Sequence, residues 1–262
     1  MKIKCVTALF DIKRDKLGDG RTIEDYLLWF DKTLSLKCDF IIYTEEKFKE
    51  FVLNSRSKSE YETEIIIQKL EEIPYFHKKD LIHSIINSGV YKSKMADLNR
   101  IECYLAEYNV IQFSKFGWLK STVEKNPDLD FLFWIDAGCS RFFDTFDISQ
   151  KWPNADLLDL DKIIIQKNSN FNNFFPNLKI ETFMWNNHSI VAGTLFGANP
   201  DNIIYLHDEF MNILDYCESK NCVNVDQNAL AIFVKKNPER CNLFIGLDGT
   251  HLPLFKFLGR KN

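Results

Sequence analysis

The sequence predicts a single Rossmann-like α/β domain with a mostly parallel, mixed central sheet flanked by helices. Short apolar runs alternate along the chain with helical patterns, which is typical of βαβ units. Residues 131–135 are an unbroken apolar run before Asp136, as in a strand buried on both faces. Only 10 Gly and 7 Pro occur in 262 residues, too few for a turn-rich all-β or disordered chain.

The first half of the chain begins with a predicted strand, and strands and helices then alternate. Thr22 is the expected N-cap of the first helix, with Asp25 at the capping-box position. Thr44 is expected to cap the next helix. A helical block over residues 78–124 is predicted to break near Gly89 and again near Asn109. The predicted strands are residues 4–10, 38–43, 64–68 and 130–136.

The second half has fewer periodic cues. Residues 167–187 are rich in Asn and Phe, which indicates a long ordered loop or a lid. Asn199 and Pro200 mark a strong helix start, and another helix is expected to begin near Asp226. The predicted strands here are residues 190–198 and 241–247.

The charge balance argues against a nucleic-acid-binding protein, and the cysteine content indicates a reducing compartment. The net charge is −4, from 33 basic and 37 acidic residues, which gives no electrostatic footprint for nucleic acid. Seven scattered Cys without a CxxC pair indicate reduced thiols. With no apolar run near ~20 residues and no signal peptide, we expect a cytoplasmic protein. Lys256, Arg260 and Lys261 allow at most a peripheral contact at the cytoplasmic face of the inner membrane.

Asp136 is the leading candidate for a functional residue. It follows a buried strand, at the sheet edge where open α/β folds bind ligands, and could hold a metal or a ribose. Capping the next turn through Ser140 is the structural alternative. Gly138 would permit close backbone approach, and Cys139 is either a nucleophile or, as we favour, a packing residue. His251 is either structural or a second ligand of a cation at Asp136.

The end of the first predicted strand is a second candidate. Thr7, Ala8, Phe10 and Asp11 could face a base or ribose, and Arg14 could bind a diphosphate through two hydrogen bonds. An ordinary solvent-facing loop is the alternative. The chain has neither a GxGxxG nor a GxxxxGK[ST] motif, which argues against dinucleotide binding and against a P-loop ATPase.

Two further segments carry candidate residues. Gly193 and Thr194 lie in a glycine-containing strand, where a ligand could rest on the backbone or a helix could pack closely. Asp226 and Gln227 begin a helix. Asp226 there is either an N-terminal cap or, with Gln227, a group that binds sugar hydroxyls or activates an attacking hydroxyl.

Over most of its length the chain resembles the bacterial HtrL/YibB family, whose members look like GT-A-fold glycosyltransferases of surface-polysaccharide loci. The order of its motifs is also similar to the wider glycogenin-like GT-A plan. The resemblance rests on five segments: Val6-Thr7-Ala8 with Phe10-Asp11, Ser114-Lys115-Phe116, Trp134-Ile135-Asp136-Ala137-Gly138, Ala192-Gly193-Thr194 and Asp226-Gln227.

The resemblance implies a hexosyltransferase-like enzyme of lipopolysaccharide or capsule synthesis. Its donor would be a nucleotide sugar, most often a UDP-sugar, and its acceptor a glycan or lipid-linked glycan. Mn²⁺ or Mg²⁺ would be held by Asp136 and His251, although Gly138 stands where GT-A enzymes carry a second Asp. Lys115 or Arg14 would neutralise the leaving phosphate.

The resemblance also implies a division of labour along the chain. Residues 1–138 would bind the nucleotide sugar and residues 139–262 the acceptor, near Asp226 and Gln227. Inversion would need a base such as Asp226 or Glu181, and the stereochemical outcome stays open. Two alternatives remain, a metal-dependent nucleotidyltransferase and a catalytically weak or inactive nucleotide-sugar-binding protein.

Overall fold

The computed structural model describes residues 1–143, 146–245 and 252–260. Within them, seven strands form one sheet in the order β3-β2-β1-β4-β6-β5-β7. Strand β6 runs antiparallel to both of its neighbours, and the remaining strand pairs are parallel. The predicted Rossmann-like α/β domain with a mostly parallel mixed sheet is therefore confirmed. The strands are β1 Ile3–Leu9, β2 Phe40–Thr44, β3 Thr63–Ile67, β4 Phe131–Ile135, β5 Ile163–Lys167, β6 Val191–Ala198 and β7 Cys241–Ile245.

Helices cover both faces of the sheet. Helices α6, α9 and α10 pack together on one face, while α2, α3 and α11 pack on the other. Among the described residues, no helix combines the length and the apolar character needed to cross a membrane. The helices are α1 Arg14–Leu17, α2 Ile23–Leu34, α3 Lys49–Arg56, α4 Lys79–Asn87, α5 Gly89–Lys94, α6 Ala106–Lys125, α7 Phe171–Phe174, α8 Ile180–Phe183, α9 Pro200–Ser219, α10 Asp226–Lys236 and α11 Leu252–Leu258.

Strand β4 lies at the centre of the sheet and is buried along its whole length. Phe131, Phe133 and Ile135 face the α2 side, whereas Leu132 and Trp134 face the α6 side. Alternate residues of a strand point to opposite faces, so a strand covered on both faces must be apolar throughout. This explains the continuous apolar run and places Asp136 at the carboxyl end of the strand.

Two predictions of helix boundaries are wrong. The expected break near Asn109 does not occur, because α6 continues from Ala106 to Lys125. Asn109 is fully buried, and its amide donates a hydrogen bond to the Glu102 carbonyl, 2.7 Å away. Thr44 does not cap α3; it ends β2, and its hydroxyl donates to the Leu9 carbonyl. The predicted break at Gly89 is confirmed, with Ser88 as the N-cap of α5.

The segment over residues 167–187, predicted to be a long ordered loop or a lid, is ordered by two short helices. It contains α7 and α8, and Phe171, Phe183 and Met184 pack into the core on the α6 side. Strand β5, just before this segment, and the C-terminal helix α11 were not predicted. Both are short apolar stretches, and periodicity alone distinguishes such stretches poorly from loops.

Candidate active site

A cavity of about 120 Å³ lies at the carboxyl ends of β1 and β4, beside the antiparallel β6. This is the sheet edge at which open α/β folds bind their ligands. Its lining combines aromatic and apolar side chains with four cationic groups. The residues are Ala8, Leu9, Phe10, Asp11, Ile12, Arg14, Arg21, Ile23, Tyr26, Tyr108, Ile111, Gln112, Lys115, Trp134, Asp136, Ala137, Gly138, Cys139, Arg141 and Thr194.

Asp136 is held in one orientation at this cavity. Its backbone N–H donates to the Thr194 carbonyl at 2.9 Å, which continues the pairing of β4 with β6. The Trp134 indole N–H donates to Oδ1 at 2.7 Å, and the Lys115 ammonium lies 2.9 Å from the same oxygen. About a third of the side chain is exposed, 32%. Because these contacts fall on Oδ1, Asp136 would meet a ligand through Oδ2.

Lys115 is the centre of a buried ionic cluster that includes Asp136 and Asp226. Its side chain is 2% exposed, and Nζ lies 2.7 Å from Asp226 Oδ2 as well as 2.9 Å from Asp136 Oδ1. Nζ also donates to the Gly193 carbonyl at 3.3 Å. An ammonium has three hydrogens, and three acceptors surround this one. In this arrangement Lys115 has no hydrogen left for a phosphate.

The charges of the cluster follow from burial and proximity. Burial alone would lower the pKa of Lys115, but the attraction of Asp136 and then of Asp226 raises that pKa above its ordinary 10.5. Burial raises the pKa of Asp226 above its ordinary 3.8; Lys115 opposes this shift, and the charge of Asp136 adds to it. Lys115 is therefore a firmly charged cation shared by two carboxylates, and Asp226 is the one more easily protonated than usual.

Gly193 makes room for the buried carboxylate. A Cβ added to Gly193 would lie 2.1 Å from Asp226 Oδ2, far inside van der Waals contact. The sequence predicted that a ligand or a helix would lie against this glycine strand. In the structure the N-terminus of α10 lies there, and the group in contact is a carboxylate of the protein itself.

The other predicted site residues divide between the cavity and the interior. Ala8, Phe10, Asp11, Arg14, Lys115, Asp136, Gly138 and Thr194 line the cavity. Thr7 is buried in β1, Gly193 and Asp226 lie behind Lys115, and Gln227 accepts a hydrogen bond from the Ser189 hydroxyl. His251 lies outside the described residues.

Arg14 is at the cavity but is already paired. Its guanidinium makes two hydrogen bonds to Asp19, at 2.7 and 2.8 Å, and a third to the Tyr26 hydroxyl. It also lies over the Tyr108 ring, 4.8 Å from the ring centroid. The two-point contact that the sequence predicted for a diphosphate is thus made to a carboxylate of the same loop.

Arg21, Arg141, Tyr26 and Tyr108 line the cavity, and sequence reasoning did not identify them. Arg141 had a usable signal, since it follows Gly138 by three residues in the loop after β4. Loops at the carboxyl ends of strands carry ligand-binding groups in this class of fold. Tyr108 had no such signal, because it lies on α6 and reaches the cavity only through packing.

A divalent cation needs several ligands close together. Among residues 1–143, 146–245 and 252–260, no three His, Cys, Asp or Glu side chains are grouped so that they could hold a metal ion. Asp136 offers one carboxylate oxygen, whereas Mg²⁺ is usually six-coordinate. The described residues alone do not make a metal site. Binding of Mn²⁺ or Mg²⁺ by Asp136 with His251 stays a prediction.

These features define a single-domain α/β protein of Rossmann-like type, with a cationic and aromatic cavity at the carboxyl ends of its central strands. The chain belongs to the HtrL/YibB family: the model of that family, described as bacterial proteins of unknown function, matches residues 1–259. The predicted family membership is confirmed.

The chain was also compared with curated protein sequences and with solved structures. No curated protein matches its sequence. The apo crystal structure of mouse xyloside xylosyltransferase 1 is similar over 93% of this chain and 85% of that chain, with 10% sequence identity and a TM-score of 0.48. A likeness at that level carries no conclusion about activity.

Proposed function

We propose that the protein is a glycosyltransferase, which moves a sugar from a nucleoside-diphosphate donor to a glycan acceptor in surface-polysaccharide synthesis. One observation carries the proposal: Asp136 is held at the floor of a cavity that four cationic side chains also line. Such a cavity suits a ligand that is anionic at one end and rich in hydroxyls at the other. A nucleotide sugar has both properties.

The remaining lining supports the same ligand. Phe10, Tyr26, Tyr108 and Trp134 give the cavity aromatic surfaces of the kind that bind flat apolar groups such as a nucleobase. Asp136 Oδ2 can accept a hydrogen bond from a sugar or ribose hydroxyl. The resemblance to GT-A glycosyltransferases adds the expectation of a UDP-sugar donor and a lipid-linked or free glycan acceptor.

In the proposed sugar transfer, the main task of the protein is to stabilise negative charge in the transition state. When the bond between the sugar and the diphosphate breaks, its electron pair and negative charge pass to the departing phosphate oxygen. Cations aimed at that oxygen lower the barrier, because fixed charges in a water-poor site need no reorganisation. The acceptor hydroxyl loses its proton as the new glycosidic bond forms. Asp226 is 2% exposed and bound to Lys115, so its direct access to that hydroxyl is poor.

The proposal is tested by nucleotide release from a panel of UDP-, GDP- and CDP-sugars, with glycan acceptors, in Mn²⁺, Mg²⁺ and EDTA. We expect Asp136→Asn to lower the release by ~10²- to 10³-fold, the effect of losing one well-placed electrostatic group. Asp128→Asn is the matched control, because Asp128 is an exposed acid, 66% accessible, that precedes the amino end of β4. It should retain wild-type activity.

Three results would count against the proposal. Absence of both thermal stabilisation and turnover with every nucleotide sugar would remove its basis. Equal activity of Asp136→Asn and Asp128→Asn, with intact near-UV circular dichroism, would remove Asp136 from the mechanism. Release of a sugar 1-phosphate instead of a nucleoside diphosphate would show transfer of the nucleotidyl group and identify a nucleotidyltransferase.

A further inference from the structure

The four cationic side chains of the cavity differ in how many of their N–H groups are already bound to acceptors of the protein. Lys115 is surrounded by Asp136, Asp226 and the Gly193 carbonyl, one acceptor for each ammonium hydrogen. Its charge is shared by two carboxylates. A phosphate could bind Lys115 only by displacing one of these partners, two of which are ionic contacts in a buried place.

Two of the arginines share one acidic partner. Arg14 binds both oxygens of Asp19 and the Tyr26 hydroxyl, and its side chain is only 10% exposed. Arg21 lies at the outer side of the same carboxylate, 3.5 Å from Asp19 Oδ2. Asp19 therefore offsets part of the positive charge that these residues bring to the cavity.

Arg141 has no carboxylate within salt-bridge distance among the described residues. Its guanidinium lies over two aromatic rings, 5.5 Å from the Trp29 centroid and 4.9 Å from the Phe142 centroid. These ring contacts engage the charge of the guanidinium, and no described residue accepts a hydrogen bond from its side chain, so its N–H groups remain for a ligand, in the fork that matches two phosphate oxygens. Arg141 is thus a charged donor with its bonding capacity available at the cavity.

The loop that carries Arg141 is firmly attached to α2. The Thr33 hydroxyl donates to the Ala137 carbonyl at 2.9 Å, and the Ser140 hydroxyl donates to the Trp29 carbonyl at 2.6 Å. Both contacts lie within four residues of Arg141. Trp29 therefore holds the loop through its carbonyl, and its ring lies under the arginine, so the loop places the guanidinium at the cavity before a ligand arrives.

We infer that Arg141 binds the diphosphate of the donor and stabilises the charge on the departing phosphate. This inference rests on the proposed function and adds a residue to it. Lys115, in contrast, acts as a positioning residue that orients Asp136. Arg14 contributes to the shape and potential of the cavity while it stays bound to Asp19.

The test is calorimetric titration of UDP and GDP, with uridine and guanosine as probes that lack phosphate, in EDTA and in Mn²⁺. The variants are Arg141→Met, Arg141→Lys and Arg260→Met. Arg260 is the matched control, since it also lies over an aromatic ring, Phe257, but is not part of the cavity lining. We expect Arg141→Met to weaken diphosphate binding about 10- to 100-fold, the range for a charged hydrogen-bonded contact.

Further readouts separate a phosphate contact from a structural role. Arg141→Met should leave nucleoside affinity and near-UV circular dichroism unchanged, and Arg141→Lys should recover part of the diphosphate affinity. The salt dependence of UDP binding should also decrease in Arg141→Met, because one cation is lost. Equal UDP affinity of Arg141→Met and Arg260→Met would overturn the inference and leave the proposed function in place. If the wild-type protein binds neither of these nucleoside diphosphates, and does not bind CDP either, the proposed function itself fails.

Discussion

Replacement of Gly193 by alanine is the sharpest test of the buried cluster. The new Cβ would lie 2.1 Å from Asp226 Oδ2 and 2.9 Å from its Cγ. Non-bonded atoms settle at about 3.5–4 Å, so the carboxylate must move by more than about 1 Å. Asp226 Oδ2 is 2.7 Å from Lys115 Nζ, and a displacement of that size would lengthen or break the ion pair.

The cost of this substitution has two parts. Overpacking a close-packed interior costs about 1–3 kcal/mol, and breaking a buried ion pair outright costs about 3–5 kcal/mol. A strained but partly retained pair lies between these limits, so we expect Gly193→Ala to lower the free energy of unfolding by about 3 kcal/mol. For a chain of this size, each kcal/mol corresponds to a Tm change of about 2–4 °C.

The assay is urea unfolding followed by far-UV circular dichroism and by tryptophan fluorescence, whose transitions must coincide before a single free energy is used. Gly89→Ala is the control, because an added Cβ there meets no atom within 4 Å. It should be neutral or stabilising by up to about 1 kcal/mol, since alanine is the better helix former. In an Asp226→Ala background, Gly193→Ala should cost less than about 1 kcal/mol, because no carboxylate opposes the new methyl group. A stability of Gly193→Ala within about 0.5 kcal/mol of wild type would refute the reasoning.

Two further predictions concern ionisable side chains. Burial, with a smaller effect of Asp208, raises the pKa of Tyr75 from 10 to about 12; its hydroxyl then ionises first in the unfolded chain, and stability falls as the pH rises from 10 to 12. Tyr75→Phe should flatten this part of the stability profile in urea unfolding, and an unchanged slope would contradict the assignment. Burial also raises the pKa of the Cys139 thiol above its ordinary 9.0, so iodoacetamide at pH 8 should leave Cys139 unmodified in the native protein and alkylate it in urea. Rapid alkylation of the native protein, seen by mass spectrometry of the Cys139 peptide, would restore this thiol as a candidate nucleophile.

The sheet and the edge that carries the candidate site could be predicted because they depend on local patterns. The apolar run before Asp136 requires a strand buried on both faces, whatever the rest of the chain does. The same reasoning missed the continuity of α6 at Asn109. A polar residue there is buried because a backbone carbonyl, that of Glu102, accepts its hydrogen bond, and such a partner is invisible in a hydrophobic pattern.

Contacts between side chains far apart in sequence could not be predicted from local patterns. Lys115 and Asp226 are separated by 111 positions, and their pairing depends on how α6 and α10 meet behind β6. The sequence assigned Lys115 to the leaving phosphate and Asp226 to the acceptor, and it did not predict that the two would pair. Likewise Arg14 has its partner, Asp19, only five positions away, yet the contact depends on a loop geometry that composition does not encode.

The ionic cluster determines when, during synthesis of the chain, the cavity can form. Its members come from α6, the end of β4, strand β6 and the start of α10, so the chain must be made through Asp226 before the last partner exists. In a shorter nascent chain, the buried ammonium of Lys115 would lack Asp226 as a partner. Assembly of the cavity floor is therefore tied to synthesis of the chain through the start of α10, and a ribosome-bound fragment that ends before α10 should not bind the ligand that the longer chain binds.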